Sequence, residues 1–241
     1  MRYLLILFLA GPLFSQNNPK QFLFVGNSLT YTNNLPKIFE NVAANFNETI
    51  NTKSLCYPNY ALEDHWEEGK LQKLINTGTY DYVIVQQGPS SQNEGKLMLI
   101  DYGKKIKALC SKNNSQLVFF MVWPSKYYAN TFDGVIQNYL LASQINKALV
   151  SPAGEVWKAY ELENNLENLY GVDGFHPSKT GSFLSALTLL KTIYPDKNLE
   201  DLSFQNSKTW VADKRSYMAI IALIDTITSK QEHPTSHNQT D

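Results

Sequence analysis

Two short stretches hold the residues whose types and spacing can do chemistry together. Ser28 lies in Phe24-Val25-Gly26-Asn27-Ser28-Leu29-Thr30, directly after an apolar run, and Asp173 precedes His176 by three residues in Gly171-Val172-Asp173-Gly174-Phe175-His176-Pro177. A serine hydroxyl is a poor nucleophile until a base takes its proton, and histidine is the usual base near neutral pH. An aspartate at that spacing can reach the imidazole Nδ1–H, fix its tautomer and stabilise the imidazolium. Of the four histidines, His233 and His237 lie in a polar tail, and His65 sits beside Trp66 in a helix-period segment, where Asp64-His65 reads as a surface pair. His176 is the remaining base for Ser28. Taken singly, Gly-Asn-Ser is common turn chemistry and Asp173 can simply cap a turn. Their joint occurrence is more specific.

The elements that must position these groups alternate. Phe22–Val25 reads as a buried strand, and apolar residues from Leu35 to Phe46 then recur at helical spacing. Thr49–Cys56 alternates like a strand, Ala61–Asn76 reads as one helix ended by Thr77-Gly78, and Tyr82–Val85 is another buried strand. A helix over Leu97–Cys110, a strand over Leu117–Val122, a helix over Phe132–Leu149 and a last strand over Val150–Trp157 follow. Helices over 178–193 and 209–229 close the series. Strands alternating with helices predict an α/β fold with a mostly parallel sheet covered on both faces. Such sheets place their sites beyond the carboxyl ends of the strands, where Ser28 falls.

At this point the chain resembles the SGNH (GDSL-like) hydrolases over roughly residues 21–193. The resemblance rests on "FVGNSLT" and "DGFHPSKTGSFLSAL", with "FFMVWPS" as a weaker third anchor. It implies a three-layer α/β/α sandwich with a flavodoxin-like parallel sheet of about five strands. It also implies a serine esterase in which Ser28 is the nucleophile, His176 the base and Asp173 the orienting acid. The family's second block carries a glycine whose N–H joins the oxyanion hole. This chain reads "CYPNYALEDHW" there, and Asn59 is the substitute, since asparagine tolerates positive φ. The third block normally supplies an asparagine side chain. Here "VIVQQGPSS" keeps Gly88 but puts Ser90 in that place, leaving Gln86, Gln87 or Ser90 as donors. The expected function is hydrolysis of carboxylic esters through an acyl-enzyme, with deacetylation of a carbohydrate favoured. A non-catalytic carbohydrate-binding module on the same fold, or a lipase or thioesterase, are the alternatives. Tyr31, Tyr57, Tyr60, Trp66, Trp123, Tyr127 and Tyr128 are candidates for an acyl pocket or for stacking on sugar rings.

Bulk properties bound the rest. With 241 residues, a formal charge of -1 and 43% hydrophobic residues, the chain suits one substantial core, and nothing in its charge points to nucleic acid. Arg2 precedes the apolar stretch Tyr3–Ala10, then Gly11-Pro12 and Ser15, which is the pattern of a signal peptide over 1–15 and too short to span a bilayer. The expected organisation is that leader, one domain over 16–229 and a disordered polar tail over 230–241, exported to the periplasm or medium without stable membrane insertion. Oligomeric state is left open. Cys56 and Cys110 can be a disulfide pair or two buried thiols. No His-Glu-x-x-His motif or cysteine cluster is present, so neither metal nor cofactor is expected.

Overall fold

The computed structural model describes residues 18–232; the 1–15 leader and residues 233–241 of the expected tail, with His233 and His237, lie outside the described residues. Strand β1 (Lys20–Gly26) carries Phe22, Leu23, Phe24 and Val25, all fully buried. Both its faces are covered, which is why the run is continuous rather than alternating. A short helix α1 (Ser28–Tyr31) and helix α2 (Leu35–Ala44) follow, then β2 (Ile50–Cys56). Helices α3 (Leu62–Glu67) and α4 (Lys70–Thr77) lead to β3 (Tyr82–Val85), α5 (Asn93–Lys112) and β4 (Gln116–Phe120). The chain continues through α6 (Phe132–Asn146), β5 (Leu149–Ser151), α7 (Ala153–Glu161), α8 (Lys179–Ile193), α9 (Phe204–Ser207) and α10 (Lys214–Glu232).

All five strands are parallel, in the order β2-β1-β3-β4-β5. Val25 lies in register with Leu55 on one side and Val85 on the other. The chain steps from β1 outward to β2 and then back across to β3, so the connections diverge between β1 and β3. That divergence opens a crevice at the carboxyl ends of the strands. Helices α2, α7, α8 and α10 pack on one another, while α5 packs on α3, α4 and α6. With helices on both faces, the architecture is a three-layer α/β/α sandwich. Helix α8 is the most enclosed: Phe183, Leu184, Leu187 and Leu190 are fully buried, each worth roughly 1.5–3 kcal/mol of burial. Its buried Ser185 and Thr188 donate back to the Gly181 and Leu184 carbonyls, so neither hydroxyl is left unpaired.

Three expectations change. The helix expected over 61–76 is two, because Gly69 adopts φ +75°, a left-handed angle that interrupts the helix after α3 and caps the start of α4. The strand expected over 150–157 pairs only across Leu149–Ser151. Pro152 then has no N–H for the ladder and stands at the start of α7, which contains Val156 and Trp157. The tail is helical as far as Glu232. Cys56 and Cys110 are free thiols, and burial pushes both up to about 12. Among the described residues no helix is long and apolar enough to cross a membrane.

Candidate active site

Ser28 is presented by the sharp turn between β1 and α1. Asn27 caps α1, its Oδ1 accepting from the Leu29 N–H at 3.1 Å. Its Nδ2 donates to the Tyr60 carbonyl at 3.1 Å, tying this turn to the loop after β2. An aspartate here would have no proton to give Tyr60, so the asparagine in this Gly-Asn-Ser makes a link that Gly-Asp-Ser cannot. Gln86, at the carboxyl end of β3, accepts on Oε1 from both the Asn27 N–H and the Thr30 hydroxyl, each at 2.9 Å. Gly26 must be glycine for this, since a Cβ there would lie 2.5 Å from Gln86 Oε1 and 2.6 Å from Thr30 Oγ1.

The second half of the site is the loop before α8. Its ends are pinned by the Ser178 N–H to Leu169 carbonyl bond at 2.7 Å and the Gly171 N–H to His176 carbonyl bond at 2.7 Å. The indole of Trp123 donates to the Phe175 carbonyl at 3.2 Å, and the Lys126 N–H donates to the Gly174 carbonyl at 2.8 Å. Trp123 is itself buried and stacked on Trp157 with centroids 3.4 Å apart. The loop thus rests on the residues that follow β4, which holds it over the same sheet edge as Ser28.

These two halves meet. Ser28 Oγ lies 2.8 Å from His176 Nε2, and His176 Nδ1 lies 2.5 Å from Asp173 Oδ2. A carboxylate can only accept, so Nδ1 carries the proton and Nε2 offers its lone pair to the Ser28 hydroxyl. Asp173 Oδ1 accepts in addition from the Phe175 and His176 N–H groups, both at 3.0 Å. The bond to His176 first, and those backbone donors after it, lower the Asp173 pKa to about 2. With its folded pKa below the ordinary carboxylate value, Asp173 contributes stability that is present above about pH 4. That contribution is lost as the pH falls through about 2. At any working pH this carboxylate is charged.

The oxyanion candidates separate. Tyr57-Pro58-Asn59-Tyr60 is a turn closed by the Tyr60 N–H to Tyr57 carbonyl bond, with Pro58 at its second position and Asn59 at φ +60° in the third. Among the described residues, no partner for the Asn59 N–H or the Ser28 N–H is found. Gln87 is instead committed to the interior. Its Oε1 accepts from the Leu62 N–H, its Nε2 faces Met98 Sδ, and its backbone meets the buried Tyr139 hydroxyl. Ser90 Oγ accepts from the Gln92 N–H and closes the turn into α5. Both groups do turn and core work, and Gln86 serves as the acceptor described above.

His65 corrects a reading of the sequence. It is buried, not a surface pair with Asp64, and its Nε2–H donates to the Gly26 carbonyl at 2.8 Å. The same carbonyl accepts from the Tyr57 N–H at 3.1 Å, so both its lone pairs are engaged two residues before Ser28. The ring stacks on Tyr57 and lies tilted against Tyr60, and its Nδ1 is buried with no partner among the described residues. Burial holds the imidazole below its usual pKa. His65 therefore joins the Ser28 turn to the Asn59 turn as a neutral donor. His65→Ala is expected to lower kcat for ester hydrolysis by about 10²-fold through loss of alignment, with KM little changed. His65→Gln, whose amide can reach the same carbonyl, is expected to recover much of that loss. Steady-state kinetics beside thermal melts of both variants separate this from simple destabilisation.

The aromatic candidates also divide. Trp123 is core, Tyr57, Tyr60 and Trp66 are half-buried, and Tyr127 and Tyr128 stand 84% and 65% exposed. These two tyrosines belong to a 3₁₀ segment, Lys126–Thr131. With Asp173 and Phe175 they line a groove of about 530 Å³ beside His176.

No family model matches the chain, and no curated protein matches it by sequence. Solved structures do match. A protein of Slackia heliotrinireducens assigned to the SGNH hydrolases is 21% identical with a TM-score of 0.63, covering 73% of this chain and 100% of its own. The chain has the SGNH-hydrolase fold. An acetyl xylan esterase, AlAXEase, superposes with a TM-score of 0.58 at 11% identity, covering 72% of this chain and 99% of its own. A lipase/acylhydrolase from Enterococcus faecalis does so at 0.57 and 13%, covering 73% and 96%. The SGNH fold explains the placement of Ser28 and His176 at one sheet edge despite a separation of 148 positions in the chain.

Proposed function

We propose that the chain is an exported serine esterase that hydrolyses carboxylic esters through an acyl-enzyme, with an acetylated carbohydrate as substrate. The observation that carries the chemistry is the continuous relay from Ser28 Oγ through His176 to Asp173, at 2.8 and 2.5 Å. Ser28 Oγ attacks the ester carbonyl carbon while His176 Nε2 takes its proton. The tetrahedral oxyanion is received by the N–H groups of Ser28 and Asn59. The C–O bond to the alcohol then breaks, and the Nε2 proton passes to the leaving oxygen. Water, deprotonated by the same nitrogen, hydrolyses the acyl-enzyme and returns Ser28. Asp173 stays ionised throughout and balances the imidazolium.

Export rests on the leader pattern of residues 1–15. The carbohydrate rests on that export and on the absence of a lipid-binding segment in the sequence; two solved relatives of this fold are described as an acetyl xylan esterase and an acetyl-xylooligosaccharide esterase. Purified protein is expected to release acetate from acetylated xylo-oligosaccharides and to hydrolyse p-nitrophenyl acetate, measured by acetate assay and absorbance. A folded protein inert towards both, over a broad pH range, contradicts the reading.

A further inference from the structure

The groove beside His176 lies on a definite side of the reaction. The sheet order puts β2, with its Pro58–Asn59 turn, on one flank of Ser28 and puts β3 and β4 on the other. A carbonyl oxygen turned to the free Ser28 and Asn59 N–H groups faces the β2 flank. The alkoxy oxygen, which must take its proton from His176 Nε2, then faces the opposite flank. There the loops after β3 and β4 and two residues just before His176, Asp173 and Phe175, wall the groove. The space on that side is where the alcohol half of an ester must lie.

Its walls differ in chemistry. Tyr127, Tyr128, Pro124 and Phe175 offer apolar faces, while Ser91 and Gln92 offer a hydroxyl and an amide. Among the described residues Asp173 is the only charged one lining it, and both oxygens of that carboxylate are already engaged. A phosphorylated or carboxylated alcohol would find no cation there. A long alkyl alcohol would desolvate the Ser91 hydroxyl and the Gln92 amide, which have only a long 3.5 Å bond to one another, and would offer their remaining donors and acceptors nothing. A pyranose ring has apolar C–H faces for the tyrosines and hydroxyls for the polar wall.

We propose that this groove is the alcohol-side subsite and that it holds a sugar ring stacked on Tyr127 and Tyr128. The proposal rests on Ser28 as nucleophile and His176 as proton donor to the leaving oxygen. Substrate selectivity is then set by the alcohol in this groove, with the acyl group kept as acetyl.

The test holds acetyl constant and varies the alcohol, comparing kcat/KM on an acetylated xylo-oligosaccharide with that on ethyl acetate. The native chain is expected to prefer the sugar ester. Tyr127→Ala/Tyr128→Ala is expected to lower that ratio about tenfold, chiefly through KM on the sugar ester, whatever it does to ethyl acetate itself. The exposure of both rings keeps the variant folded, and a melt verifies it. No preference for the sugar ester in the native chain, or an unchanged ratio in the variant, overturns the subsite. Hydrolysis of ethyl acetate that survives Ser28→Ala overturns the nucleophile instead, so the two failures are told apart.

Discussion

Ser28→Ala is expected to reduce kcat on p-nitrophenyl acetate by about 10⁶-fold, the size of loss seen when a triad nucleophile is removed. The substitution deletes one oxygen whose hydrogen-bond partner is His176 Nε2. The supports of the turn are untouched, because Asn27 caps α1 with its own side chain and Gln86 and His65 hold backbone groups and Thr30. The melting temperature should therefore stay within a degree or two while activity falls to the background of the remaining donors. A loss of only tenfold would mean that another group attacks the ester.

Asp173→Asn is expected to cost about 10⁴-fold in kcat, for a reason visible in the loop. Oδ1 of Asp173 accepts from the Phe175 and His176 N–H groups. An asparagine must keep its carbonyl oxygen on those donors, which turns its NH₂ towards His176 Nδ1. The imidazole then has to accept at Nδ1 and carry its proton on Nε2, where it can no longer take one from Ser28. The variant should fold, since the turn bonds survive, and stopped-assay kinetics at high enzyme concentration will read the residual rate. A loss below tenfold would mean that Asp173 only shapes the loop.

Where structure was legible in the sequence, local physics determined it. Tyr82–Val85 reads as a strand and is one, because burial on both faces demands a short continuous apolar run. The helix expected over 178–193 is α8, whose first expected residue, Ser178, stands just outside it as the cap that accepts from the Gly181 N–H. The break at Gly69 was hidden because helical spacing continues through it and a glycine can sit inside a helix. The three-residue β5 was hidden because its pairing with β4 is enough to define it, while the apolar residues beyond Pro152 serve α7 instead.

The site divides the same way. Ser28, Asp173 and His176 stand out by residue type and spacing. Positive φ at Asn59 follows from the Pro-Asn pair of a turn. His65 was misplaced because acidic neighbours suggest an exposed face, while its partner, the Gly26 carbonyl, is 39 positions away and is a backbone group. Gln87 and Ser90 sit in the right block for oxyanion donors. Their side-chain partners, Leu62, Met98 and Gln92, become visible only when the loops are folded.

The most direct measurement of the central claim is covalent. Native protein treated with a fluorophosphonate should gain one phosphonyl group, located on Ser28 by peptide mass spectrometry. Labelling should fail in Ser28→Ala and be slow in Asp173→Asn. An adduct on another residue, or a folded protein left unlabelled from about pH 7 to pH 9, would contradict Ser28 as the nucleophile.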